Sequence, residues 1–549
     1  MQTERGKFRI RSGSDAWLLA RIHIDAFRAA PAAYLAAAKW WLLRKRVRAR
    51  GQFAQLLGKS PRAYMLLGLR DEAAGRVQSP AGMGPPIVAL VQAAAPSRGP
   101  SGDRAREAAL QSSLQSLTAE GVTAFVVGPD HAGDMASAVA AIDWAAQPWL
   151  MPLWAGDLLA PGAAAAYRAA MDDPSLKLVY ADDDLLDRHG RRTVPHFKPD
   201  WNSELFRHFD YLTGACILRA GRDELLAQAC RPDWAGRLVA QASRGGGVRH
   251  VRRMLHHRAV RIPPPAAAAP LSPPDDLPSL SVIVPTRNRL DLLRTCLDGL
   301  AATRYPDVEI IVVDNDSDDP DTLAYLAALD PVRVRVLRHP GAFNYSAINN
   351  RAVAAARGRL LCLLNNDIET IGADWLAIMA SQALRDDVGA VGAKLLYPDG
   401  RIQHAGVVVG VGNAAGHAHR FLDPAEEGYF RRHALPQFTS AVTGACLVVM
   451  RERFLAVGGL DVRNFAVAYN DVDLCLRLNQ RGWQAFYEPR AVLIHHESVS
   501  RGFDRDPAGS RRFAGELAAL KRIWKTDEIV DPYHHPQLSR AAERFAMAI

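Results

Sequence analysis

Residues 361–370 read LCLLNNDIET, an apolar run that stops abruptly on Asn365, Asn366 and Asp367. Four consecutive apolar residues without a helical period read as a strand buried on both faces. Taken alone, Asn-Asn-Asp is equally at home in a turn or a helix cap. At the carboxyl end of a buried parallel strand, however, it stands where open α/β sheets bind their ligands. The reading of this stretch decides whether the chain is an α/β protein with a site at its strand tips.

Working outward, SVIVP (281–285), EIIVVD (309–314) and VRVLRH (334–339) repeat the short apolar pattern. Helical stretches fall between them, around 290–302, after Pro320 and over 346–357. Such alternation predicts a parallel sheet covered on both faces. Polar residues then gather at the strand ends: Thr286, Arg287 and Asn288; Asp314, Asn315 and Ser317; Asn344, Ser346, Asn349 and Asn350; and the opening trio. Amides and carboxylates in this arrangement can hydrogen-bond a base and ribose, while one carboxylate holds a divalent cation on a diphosphate.

Upstream, IPPPAAAAPLSPPDDLPS (262–279) is too proline-rich for helix or strand and predicts an extended linker. Before it the same order of motifs recurs, blurred. PIVALV (86–91) stands for SVIVP, TAFVVG (123–128) for EIIVVD and PWLMPLWAGD (148–157) for LLCLLNND. TGAC at 213–216 recurs letter for letter at 443–446, and LHH at 255–257 answers IHH at 494–496. Ordered matches of this kind indicate a tandem duplication of one α/β domain. The expected organisation is a basic helical segment over 1–84, a first domain over 85–261, the linker, a second domain over 280–525 and a tail over 526–549.

With 49% hydrophobic and 23% charged residues the chain is an ordinary globular protein, and 549 residues suit several domains. A net charge of +9 favours an anionic partner. No aromatic-interleaved basic stripe on a recognisable module suggests nucleic acid. Six scattered cysteines without a C-x-x-C pair read as buried thiols of a reducing compartment. No signal peptide or membrane-spanning run is expected. AAAKWWLLRKRVRAR (36–50) sets Trp40 and Trp41 beside a cluster of cations. It suits a helix on an anionic membrane surface, although a charge run more often marks a docking helix with a solvated basic face.

Downstream lie NDVDLCLRL (470–478) and LIHHESVSRG (493–502), which add carboxylates and paired histidines. Together with VIVPTRNR, VVDNDSDD, FNYSAINNRA, LLNNDIE, VGAKLLYPDGRIQHAG, TGACLVV and GGLD, these motifs run in order over roughly residues 279–505. As a set they resemble glycosyltransferase family 2, the inverting nucleotide-sugar enzymes of GT-A fold. The resemblance implies two tandem GT-A-like, Rossmann-like domains of mixed, mostly parallel sheet. It implies a nucleotide contact at Asp314, a metal ligand at Asp367 in the D-x-D position and a general base at Asp471. His495 would complete the metal or diphosphate site, with His496 as the rival. Asn365 departs from the commoner Asp, so metal binding would rest more heavily on Asp367. The remaining donor contacts would come from Pro285, Thr286, Arg287, Asn288, Asn315, Ser317, Asn349, Asn365 and Asn366. Gly444, Asn470 and Asp473 would support the acceptor side, with Asp473 capping its helix.

Such a protein would need Mg2+ or Mn2+, a nucleotide-sugar donor and a glycan or lipid-linked glycan acceptor, such as O-antigen, capsule or a rhamnan. It would work in the cytoplasm, peripheral to the inner face of the cell membrane. In the first half, Gly128 stands where Asp314 does, QAAA (92–95) replaces PTRN, and Arg231 falls opposite Asp471. An arginine cannot take a proton at neutral pH. Asp182, Asp183 and Asp184 imitate a metal motif but fall after the clamp position. The first half therefore reads as a degenerate domain. Two alternatives stand beside the transferase: a bifunctional enzyme with two active domains, and a noncatalytic glycan-binding or assembly protein.

Overall fold

The computed structural model describes residues 13–75, 84–93, 100–128, 131–229, 231–497 and 507–549. Cys230 and the end of the HHESVSRG motif, 498–502, lie outside these residues. The chain opens with four helices, α1 (Gly13–Ala29), α2 (Pro31–Leu42), α3 (Arg46–Leu57) and α4 (Pro61–Gly75). Leu18, Ile22 and Ala26 recur every fourth residue along α1 and pack with Leu57 and Leu66 as a small core. Among the described residues no helix is long and apolar enough to cross a membrane.

Two sheets follow. The first contains β1 (Ile87–Gln92), β2 (Thr123–Val127), β3 (Trp149–Trp154), β4 (Leu158–Leu159), β5 (Leu176–Leu186), β6 (Arg192–His196), β7 (Cys216–Leu218) and β8 (Gly247–Arg258). Its order is β2-β1-β3-β7-β5-β8-β4, with β6 on β5. After the irregular stretch 262–279 comes a second set: β9 (Leu280–Thr286), β10 (Val308–Asp314), β11 (Val334–Arg338), β12 (Leu360–Leu364), β13 (Ile368–Thr370), β14 (Val388–Leu396) and β15 (Ile402–His404). It ends with β16 (Val407–Val409), β17 (Ala415–His417), β18 (Gln437–Thr439), β19 (Cys446–Met450) and β20 (Gln484–His495).

The second sheet runs β11-β10-β9-β12-β19-β14-β20-β13, with β15 on β14 and β18 on β20, while β16 and β17 pair separately. From β10 to β13 this order repeats the first sheet strand for strand. The directions repeat as well: β3 and β12 meet antiparallel β7 and β19, and β5 and β14 run parallel to β8 and β20. A shared order and shared directions are the signature of duplication, and the sequence matches fall on equivalent strands. Both sheets are mixed; the purely parallel part of the second is β11-β10-β9-β12.

Every residue of β12 is buried, as a central strand covered on both faces requires. The helix Leu290–Ala301 covers one face with Leu292, Leu293, Cys296, Leu297 and Leu300. The five described free cysteines are all buried, as expected of structural thiols.

The two halves touch directly. Asn202 Nδ2 donates to the Phe438 carbonyl at 2.9 Å, and Asn202 Oδ1 accepts from Phe438 N–H at 3.1 Å. Arg385 meets the buried Glu204 at 2.8 Å. The tail returns to bind both, with Asp531 Oδ2 accepting from Val409 N–H and His535 lying 3.0 Å from Asp182.

Candidate functional site

The site begins where two strands part. β9 and β12 pair from Leu280 only as far as Ile283, opposite Leu363, whereas β9 stays with β10 to Thr286. Pro285 has no N–H to continue the ladder toward β12, so regular pairing ends there and a side-chain bond between Thr286 and Asn366 joins the two carboxyl ends. Asn365, Asn366 and Asp367 form the turn between β12 and β13.

The loops that follow β9 and β10 are tied by one residue. Asn288 adopts φ 52°, a left-handed conformation that Asn tolerates better than most side chains. Its Oδ1 accepts from the Asp318 and Asp319 amides, its Nδ2 donates to Asp318 Oδ1, and its backbone N–H donates to Ser317 Oγ at 2.8 Å. Asp314 is wholly buried; its carboxylate accepts from Ser317 N–H at 3.0 Å and pairs with Arg338. Asn315 donates to the His339 and Gly341 carbonyls, leaving its Oδ1 buried and unpartnered. Thr286 Oγ1 accepts from Asn366 Nδ2 at 3.1 Å. Asn349 donates to the Tyr345 carbonyl, again with a buried, unpartnered Oδ1. Arg287 is exposed, 3.9 Å from Asp318. Most of the expected donor residues thus bond within the protein, and Asn315 and Asn349 each retain an unused acceptor.

Antiparallel pairing of β13 with β20 places Ile368 opposite His495, which brings the preceding Asp367 beside the imidazole. Asp367 Oδ1 lies 3.2 Å from His495 Nε2, both side chains buried. Neither that oxygen nor His495 Nδ1 has a hydrogen-bond partner. Burial disfavours the Asp367 anion, but the adjacent His495 outweighs it and holds the carboxyl below its usual range. A buried, ionised carboxylate oxygen facing an imidazole nitrogen suits a divalent cation that accepts O and N ligands. His496 points to Glu369 instead, at 2.9 Å.

Asp471 opens the helix Asn470–Gln480, and Tyr469 ahead of it takes φ 63° to make the turn. Asp471 is half-buried; Oδ2 accepts from Gly444 N–H and Oδ1 from Val472 N–H, each at 2.8 Å. Asn470 secures the turn by donating to the Val467 carbonyl at 2.8 Å. Asp473 is not the expected cap. It lies within the helix, paired with Arg477 and accepting from Trp524 Nε1, because the capping position falls on Tyr469.

Three contributors carry no motif of their own. Tyr345 donates its hydroxyl to the Gly444 carbonyl at 2.8 Å. Burial pushes its phenol up, and the charges of Asp471 and, more weakly, Asp367 add to that. His404 donates from Nδ1 to Ala393 O and accepts Thr443 N–H at Nε2, which fixes the TGAC turn. His417 sits in the field of Asp471 with Nδ1 bonded to Gln403 O. The FNYS and IQHAG stretches held the first two, but single aromatic and imidazole side chains give no spacing signal.

In the first half the corresponding space is filled. A side chain on Gly214, the counterpart of Gly444, would lie 2.6 Å from the Arg258 guanidinium and 3.1 Å from the Trp154 ring. Strand pairing sets Leu158 opposite His257, as Ile368 is opposite His495. The structural counterpart of His495 is therefore His257, one residue beyond the letter match. His257 is drawn to Asp184 at 2.8 Å. Asp157 accepts from Ala259 N–H, and burial pushes its carboxyl up to about 6 against the weaker pull of Arg258. Asp183 pairs with Lys198 and Arg261, and Asp184 with Arg192. Arg231 is exposed, ahead of the helix Trp234–Gly245.

Among the described residues one group, Asp182, His250 and His535, brings three donor atoms within 4.8 Å of one another. Asp182 Oδ2 and His535 Nε2 lie 3.0 Å apart, buried and without a hydrogen-bond partner, which suits an ion, whereas the remaining bonds of the two imidazoles oppose one. The Gln537 amide donates to His535 Nδ1, which leaves the ring proton on Nε2, the atom facing Asp182. His250 has both nitrogens against carboxylates, Asp182 and Asp200.

Residues 281–413 match the family model described as glycosyl transferase family 2. The chain is 37% identical over 484 residues to the uncharacterized protein y4gI of Sinorhizobium fredii, covering 79% of this chain and 53% of that one. It is 37% identical over 435 residues to the O-antigen biosynthesis protein RfbC of Myxococcus xanthus, covering 71% and 34%. It thus spans about half, or a third, of these relatives. Among solved structures, a Pyrobaculum calidifontis mannosyltransferase in complex with GDP-Man and Mn2+ aligns at 21% identity and a TM-score of 0.36, covering 48% of this chain and 70% of that one.

Proposed function

We propose, from the premise that residues 281–413 are a glycosyltransferase family 2 domain, that the chain moves a sugar from a nucleotide-sugar donor to a growing surface glycan with inversion. The observation that carries this reading is the joining of two carboxylates through one turn: Asp367, paired with His495, follows Asn365, whose N–H donates to the Ala445 carbonyl at 2.9 Å, and the neighbouring Gly444 N–H holds Asp471. Asp367 and His495 would hold Mg2+ or Mn2+; when bound, such a cation neutralises charge growing on the departing diphosphate. Asp471 takes the proton of the acceptor hydroxyl, on the face opposite the leaving group that inversion requires. Gly444 N–H fixes one of its oxygens and thereby its aim.

The acceptor in this reading is a glycan or lipid-linked glycan of O-antigen, capsule or rhamnan type, met at the inner face of the cell membrane. The first domain is read as a degenerate copy serving acceptor binding or scaffolding. Arg258 and Trp154 crowding Gly214 supports that against a bifunctional enzyme. A noncatalytic assembly protein is disfavoured because its site carboxylates would have no reason to stay grouped.

The test is turnover of UDP-, GDP- and dTDP-sugars with and without Mn2+ or Mg2+, in the full chain and in Asp367→Ala. One donor should be consumed only with the cation, and the variant should lose cation-dependent nucleotide binding while keeping its melting temperature. Unchanged cation dependence in Asp367→Ala refutes the metal assignment.

A further inference from the structure

We propose that the tip of the α2–α3 hairpin is a docking surface for an anionic lipid bilayer. The proposal narrows the membrane association just described to one part of the chain, and it does not depend on the transfer chemistry. Every residue from 41 to 48 is exposed. Leu42, Leu43 and Val47 keep 81%, 55% and 78% of their surface in water, and a grouping of bulky apolar side chains at one protruding turn calls for a partner. Arg44, Lys45, Arg46 and Arg48 are interleaved with them.

The tip is held, not frayed. Lys45 N–H donates to the Trp40 carbonyl and Arg44 N–H to the Trp41 carbonyl, closing α2 with Arg44 at φ 59°. That is a Schellman closure with arginine where glycine is usual. The backbone therefore turns sharply and presents both leucines outward. The guanidinium of Arg48 lies 4.1 Å from the Trp40 ring centroid and that of Arg46 4.9 Å from Trp41. Each pair joins an indole, which favours the headgroup zone, to a cation that meets phosphate.

Charge selects the occupant. Residues 16–62 contain ten Lys and Arg against one carboxylate, Asp25, which is already paired with Arg62. A second copy of so cationic a surface is repelled. Nucleic acid would use the cations and leave the leucines without a function. A bilayer with acidic headgroups uses both, with the apolar trio at the acyl boundary and the cations at phosphate level.

The experiment is co-sedimentation of the full chain with vesicles of equimolar phosphatidylglycerol and phosphatidylcholine, and with pure phosphatidylcholine. Binding is expected to the first and not the second. Combined Leu42→Ser, Leu43→Ser and Val47→Ser should lower it without altering the melting temperature, since all three are exposed. Combined Arg44→Glu, Lys45→Glu and Arg46→Glu should lower it about a hundredfold, each basic contact near such a surface contributing about fivefold. Binding that survives the serine substitutions, or retention on DNA as tight as on the anionic vesicles, overturns the proposal, because either makes the tip a plain cation patch. A chain that consumes donor but ignores vesicles loses the docking surface and keeps the transferase reading. One that binds vesicles but turns over no donor keeps the docking surface alone.

Discussion

Asp471 and Asp157 show how far one carboxylate's surroundings decide its use. Asp471 is half-buried, with its two oxygens accepting from the Gly444 and Val472 amides. Asp471→Asn preserves shape and can still accept from Gly444 N–H, but it cannot take a proton. Transfer should fall about a hundred- to ten-thousand-fold while donor binding persists; equal losses of both would assign Asp471 to the donor instead. Asp157 is buried with its second oxygen unpartnered, and its carboxyl sits near 6 rather than 3.8. A raised folded-state value means that the protonated form is the one the fold prefers. Its contribution is complete below about pH 4 and lost as pH rises through 6, a difference near neutrality of about 3 kcal/mol. Asp157→Asn should flatten the stability profile over that window, gain up to about that amount at neutral pH, and leave transfer intact. Chemical denaturation across pH measures the first two effects. A loss of transfer would instead mark Asp157 as part of a second site.

At the scale of elements, β5 is the test of whether an acidic run is a site. Asp182, Asp183 and Asp184 are all buried, and Lys198, itself without exposure, reaches Asp183 at 2.7 Å. Removing one partner of a buried pair strands the other, at a cost of roughly 3–5 kcal/mol. Asp183→Asn should therefore lower the denaturation midpoint while the protein that remains folded transfers at the normal rate. A lost linkage with unchanged stability would instead mark a second active site. The sequence could not distinguish these cases, because Lys198, Arg261 and Arg192 answer the run from other elements at separations that no pattern records. The duplicated strands β1, β3, β9 and β12 were legible for the opposite reason: each is a short apolar run, and burial on both faces allows little else. Asn365–Asp367 at a strand tip was likewise legible. The closing of Asp367 onto His495 was visible only as family resemblance, since it depends on the register of β13 against β20. Asp473 was misjudged because counting carboxylates ahead of a helix does not locate its first residue.

For the whole molecule the question is whether the second domain can stand alone. Its β18 pairs with β20 on one side and with the Asn202 amide on the other, and the same Asn202 Oδ1 also caps its own helix by accepting from Leu205 N–H. Leu435, just before β18, is fully buried within the hydrophobic core of the first domain. The linker 262–279 keeps the halves joined in sequence, but these contacts join them in folding free energy. Asn202→Ala would strand the Phe438 amide and carbonyl and the Leu205 amide, at about 1–3 kcal/mol for each buried group left unpaired. Calorimetry of the full chain should show both domains melting in one transition, displaced downward in the variant. A fragment of residues 280–549 should aggregate, since it exposes Leu435 and the open edge of β18, an invitation to pair with another chain. Co-expression with residues 1–261 should rescue its solubility. If the fragment is instead monomeric and melts where the full chain does, the first domain contributes nothing to the fold of the second, and its role must lie in acceptor binding alone.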